Sequence, residues 1–132
     1  MFKKISIIAL VVILVSSCEL SENVINCPTT VGVVTTAISG PTEVAIDVPV
    51  DLEISFATKK NCGEFELFYN NPSDNVLVDI ITVNTIYDEC NCDEVLSVEK
   101  VNYAFKKSTA GVYVVKFRAS NTTFIEHTIT VQ

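Results

Sequence analysis

The sequence predicts an all-β domain, an antiparallel sandwich of about seven or eight short strands, and three observations carry that expectation. Past residue 17 the chain is rich in Val, Ile and Thr, the residues that suit a pleated surface, and it has no Trp, one His and only four Gly. Apolar runs recur along it, separated by clusters of turn-forming residues. One run alternates strictly. Val50, Leu52, Ile54 and Phe56 are apolar while Asp51, Glu53 and Ser55 are polar, the period of a strand with one buried and one wet face.

The elements follow in order. Val31 to Ile38 is a β-branched run that ends at the turn signal Ser39-Gly40-Pro41. Glu43 to Val48 is a second run, stopped by Pro49, and Val50 to Ala57 is the alternating strand. Lys59 to Gly63 closes it. Phe65, Leu67 and Tyr69 then alternate against Glu66, and Asn70 to Asn75, with Pro72, turns the chain. Val76 to Tyr87 is a long strand-like stretch. Asp88 to Glu94 reads as an acidic hairpin tip holding Cys90 and Cys92. Val95 to Phe105 alternates around Val101, Tyr103 and Phe105. Val112 to Arg118 and Phe124 to Val131 read as a closing hairpin around Asn121. No helix-period segment of useful length follows residue 17.

The end of the chain also resembles a known family. Ala110-Gly111-Val112-Tyr113-Val114-Val115-Lys116-Phe117, followed by Thr128-Ile129-Thr130-Val131, is similar to the last two strands of many bacterial extracellular immunoglobulin-like and PKD-like modules. The resemblance covers roughly the last quarter of the chain and implies an immunoglobulin-like sandwich. It also implies a tyrosine corner at Tyr113, whose hydroxyl would tie a loop to the strand; the plainer alternative is a half-buried strand tyrosine. The Cys…Trp…Cys arrangement of antibody domains is missing, and a fold resemblance by itself assigns no activity.

The first 17 residues have a different character. Lys3 and Lys4 precede an almost wholly apolar stretch, Ile5 to Val15, and Ser16, Ser17 and Cys18 follow. A charged start, an apolar core and a small-residue exit make a secretory signal peptide, too short for a span that needs roughly 20 apolar residues. Val15-Ser16-Ser17-Cys18 resembles the lipobox of bacterial lipoproteins. That resemblance implies diacylation of the Cys18 thiol, cleavage before it, and a membrane anchor made of acyl chains. The expected organisation is a signal peptide over residues 1–17, a lipid-anchored tether over 18–29, and a β-sandwich domain over 30–132. The expected address is the cell envelope: the outer membrane, facing the periplasm or the surface.

Once Lys3 and Lys4 are removed, seven basic residues face 16 acidic ones, a net charge of −9. Such a surface repels nucleic acid and anionic headgroups. With Cys18 acylated, four of the five cysteines remain. An even count in an oxidising compartment makes disulfides the expectation for Cys27, Cys62, Cys90 and Cys92. A Cys90–Cys92 ring is disfavoured, because residues two apart in extended chain lie near the upper limit of bridgeable Cα separation. Cys62 is therefore expected to pair with one of the two inside the sandwich and Cys27 with the other, which would pin the tether. The order stays open at this level.

Chemistry is hard to find. His127 is the only histidine, on the final strand, and no nucleophile motif accompanies it. The acidic flanks Asp88, Glu89, Asp93 and Glu94 would raise a thiol pKa rather than depress it, which argues against a redox Cys-x-Cys pair. A thiolate metal site usually presents two separated pairs, and only one tight pair exists here. No catalytic residue, metal or cofactor is expected. The reading is a monomeric, non-enzymatic module that binds a protein or glycan partner. The alternatives are a metal- or thiol-handling envelope protein that uses Cys90 and Cys92, and a protease-inhibitor-like lipoprotein.

Overall fold

The computed structural model describes residues 27–87, 92 and 94–132. The leader, Cys18 and most of the tether lie outside these residues, as do Cys90 and most of the acidic segment around it. The described chain is all-β and forms nine strands. In order these are β1 (Thr29–Val33), β2 (Thr35–Ser39), β3 (Glu43–Val44), β4 (Val50–Lys59), β5 (Gly63–Asn71), β6 (Val78–Tyr87), β7 (Leu96–Phe105), β8 (Gly111–Arg118) and β9 (Phe124–Val131).

The strands make two layers. The larger sheet runs β1-β6-β8-β9-β3, with β5 on the other side of β6, and the smaller runs β2-β4-β7. Leu52, Ile54 and Phe56 of β4 and Phe105 of β7 meet Ile81, Val83, Val115, Phe117 and Ile129 of the larger sheet, all almost wholly buried. Phe68, Tyr103 and Phe117 pack edge to face with ring centroids 5.0–6.1 Å apart, an arrangement in which positive ring edges meet negative faces.

Five expectations change. The run Val31 to Ile38 is two strands. β1 pairs with β6 and β2 pairs with β4, so at Val34 the chain leaves one sheet for the other. Alternation passes unbroken through the switch, with Val33 and Thr35 buried and Val34 exposed, which is why the sequence reads as one strand. The run Glu43 to Val48 supplies only the short β3. β6 and β7 do not pair as a hairpin, because β6 lies in the larger sheet and β7 pairs with β4 in the smaller. That change of layer has a further consequence. The chain runs along β6, returns along β7 in the other layer, and re-enters beside β6 as β8, so β6 and β8 are parallel. β3 is also parallel to β9, so the larger sheet is mixed rather than wholly antiparallel.

The last change concerns β5. Its register against β6 slips between Phe65 and Leu67, leaving Glu66 as a bulge. Beyond the bulge the faces exchange. Phe65 and Phe68 both turn toward the other layer, in contact with each other and with Phe56 and Phe117. Leu67 and Tyr69 lie outside, 42 % and 53 % exposed.

Candidate functional site

One end of the sandwich is stapled, and the staple borders an open cleft. At the end of β4 a turn carries the chain from the smaller sheet to the larger. Asn61 takes the left-handed conformation there (φ 62°), which its short polar side chain tolerates better than most residues do. The turn presents Cys62, which is bonded to Cys92 with Cα atoms 5.7 Å apart. Two further links fix the chain after Cys92 to the same turn. The Lys60 N–H donates to the Val95 carbonyl at 2.9 Å, and Lys59 Nζ lies 3.2 Å from Glu94. Gly63 follows directly. A Cβ there would collide with the Thr58 hydroxyl and stand 2.7 Å from the Tyr87 ring, so only glycine lets the chain pass the buried Thr58–Tyr87 hydroxyl pair.

Beyond the staple two strand edges run free. Among the described residues β5 pairs only with β6, and β7 only with β4. Between them opens a cleft of about 560 Å³ whose walls include Phe56, Cys62, Glu64, Phe65, Glu99 and Lys100. Glu99 stands opposite Phe56 in the β4–β7 register, on the core-facing side of its strand. An inward-pointing carboxylate in that phase discourages edge-to-edge pairing. Lys100 turns the other way, to Glu53 at 2.7 Å. Exposed apolar side chains flank both edges: Leu67 and Tyr69 on β5, Leu96 and Val98 on β7.

The opposite end is closed by charge and aromatic packing. Lys107 bonds Asp79 at 2.8 Å, both about three-quarters buried, and its ammonium sits 5.2 Å from the Tyr113 ring centre and 5.7 Å from that of Phe105. Tyr113 is 5 % exposed, and its hydroxyl donates to the Thr109 carbonyl at 2.9 Å across the turn between β7 and β8. Burial and the Asp79 carboxylate push the Tyr103 phenol up to about 12.

The residues singled out in the sequence do not converge on one centre. Cys62 and Cys92 meet at the stapled end, and Cys27 is also disulfide-bonded. Cys18 and Cys90 lie outside the described residues. Tyr113 belongs to the far end. His127 is remote from the cleft, its Nε2–H donating to the Pro41 carbonyl at 2.9 Å. Among the described residues no three His, Cys, Asp or Glu side chains are grouped to hold a metal ion, and no helix is long and apolar enough to cross a membrane. The cleft residues Glu64, Phe65, Glu99 and Lys100 were not foreseen. One signal for them exists in the sequence: the apolar phase Val101, Tyr103, Phe105, extended backwards, lands on Glu99, and a charge in the core phase of a strand marks an edge.

No protein-family model, curated protein or solved structure matches this chain.

Proposed function

We propose that this protein is a lipid-anchored binding module of a bacterial cell envelope, an immunoglobulin-like sandwich that holds a partner without transforming it. The observation that carries the reading is the pair of long free edges flanking a cleft at the stapled end. A rigid, cross-linked scaffold with exposed strand edges suits recognition by backbone pairing. The chemistry in reach suits it as well. The cleft cysteine is tied in a disulfide, and among the described residues the carboxylates Glu64 and Glu99 line the cleft with no histidine, serine or free thiol beside them.

The Tyr113–Thr109 bond supports the immunoglobulin-like assignment, since a tyrosine early in a penultimate strand that ties back to the preceding turn is the corner of that fold. The mixed larger sheet makes the domain a variant of it. The disulfide supports an oxidising, extracytoplasmic address, and the lipobox at Cys18 supplies the anchor.

The register is compatible with a second bridge. Thr29 and Gly63 both stand opposite Tyr87, on either side of β6, so Cys27 and Cys62 emerge flanking the point where β6 ends. With Cys62 bonded to Cys92, we infer that Cys27 bonds Cys90 and pins the tether at the cleft end. The anchor is tested by labelling cells with a fatty acid and fractionating them. The wild-type chain is expected to carry label and sediment with membranes, and Cys18→Ala to lose both. A Cys18→Ala chain that stays labelled and membrane-bound refutes the anchor.

A further inference from the structure

We propose that β5 accepts an extended, positively charged polypeptide segment as an added strand of the larger sheet. This rests on the binding-module reading and names the chemistry of its partner. An edge strand presents a row of unpaired N–H and C=O groups, and β5, nine residues long, turns those of about every second residue outward among the described residues. The strands at the other end of that sheet offer less, since β3 has two residues.

Charge chooses the occupant. Glu64 and Glu66 lie on β5, and Glu99 faces the gap from β7. Among the described residues none of the three has a cationic partner. Of the cations nearby, Lys59 is engaged with Glu94 and Lys100 with Glu53, while the exposed Lys60 pairs with none of these carboxylates. A strand bearing Lys or Arg at alternate positions would meet these carboxylates. With its basic residues on the outer face beside Glu64, its apolar positions would lie on the opposite face, against Phe65 at the cleft. A second copy of the chain fits poorly. β5 carries two carboxylates and no Lys or Arg, so a second β5 brings no cation to meet Glu64 and Glu66.

The test uses the detergent-purified full chain and a fluorescent octapeptide of alternating lysine and valine, read by anisotropy. Three comparisons are made: an alternating glutamate–valine peptide, the lysine–valine peptide N-methylated along one edge, and protein variants. Binding of the lysine–valine peptide is expected, with hydrogen-exchange protection gained in residues 63–71. Glu64→Lys with Glu66→Lys should weaken it at least about tenfold, while Asp74→Lys with Glu43→Lys, an equal charge change away from that edge, should alter it by less than about twofold. N-methylation should abolish it, and the glutamate peptide should not bind. No binding by the lysine–valine peptide overturns the proposal. So does binding that N-methylation leaves intact, or self-association that the Glu64 and Glu66 changes strengthen. Failure here with Cys18-dependent anchoring intact removes strand addition alone; loss of the anchor result removes the envelope reading instead.

Discussion

Gly63 shows how much of the stapled end depends on one missing Cβ. Thr58 and Tyr87 share a buried hydrogen bond at 3.3 Å directly against it. Gly63→Ala should therefore cost about 1–3 kcal/mol by overpacking, measured by denaturant unfolding under oxidising conditions; an unchanged midpoint would show that the strand can shift aside. Tyr113→Phe removes one buried hydrogen bond while keeping the ring, and about 1 kcal/mol is the expected loss. Tyr103 sets an alkaline limit. Its phenol loses a proton near pH 10 in the unfolded chain and near pH 12 in the fold. Stability from this group is thus complete below pH 10 and lost as pH rises to 12. Tyr103→Phe should flatten the decline over that window, and parallel declines for the two proteins would contradict the assignment. Some of these residues were legible beforehand. Tyr113 stands in a recognisable Gly-x-Tyr setting, and Tyr103 lies in the apolar phase of its strand with Val101 and Phe105. Gly63 was not, because a close approach between distant strands leaves no local pattern.

At the scale of elements, β5 departs furthest from its sequence. Alternation of Phe65, Leu67 and Tyr69 suggests one buried face, yet a single bulge residue, Glu66, exchanges the faces beyond it. Phe68→Ala should then cost about 3–4 kcal/mol, whereas Leu67→Ala and Tyr69→Ala should stay within about 1 kcal/mol. Equal losses at Leu67 and Phe68 would restore the simple alternation. The bulge is hidden because nothing in Phe-Glu-Leu-Phe marks an extra residue; it is imposed by the need to keep both Phe65 and Phe68 among the aromatic rings. The same holds at Val34, where one uniform β-branched run serves two sheets. Strands whose partners are consistent with local alternation, β4 and the β8–β9 hairpin, are the ones read with least change.

For the whole molecule, cross-links and topology set the limits. Cys62 and Cys92 are 30 residues apart, so their bridge removes about 3–4 kcal/mol of unfolded-state freedom on a chain-entropy account. Cys62→Ser with Cys92→Ser should lower the unfolding free energy by about that amount, and an unaltered midpoint would mean that packing alone holds the cleft end. The all-β class and the disulfide state were legible because both follow from composition and cysteine parity. The parallel β6–β8 pair was not, since it depends on which layer each strand joins. Function is least legible: the edges that carry the binding proposal are defined by what does not pair with them.

The most direct measurement is the intact mass of the protein extracted from the membranes of the cell that makes it, taken before and after alkylation without reduction. The account predicts a chain that begins at Cys18, carries the mass of attached acyl chains, and gains nothing on alkylation because all four remaining cysteines are paired. An unlipidated chain, or one that takes up alkyl groups at these cysteines, would contradict it.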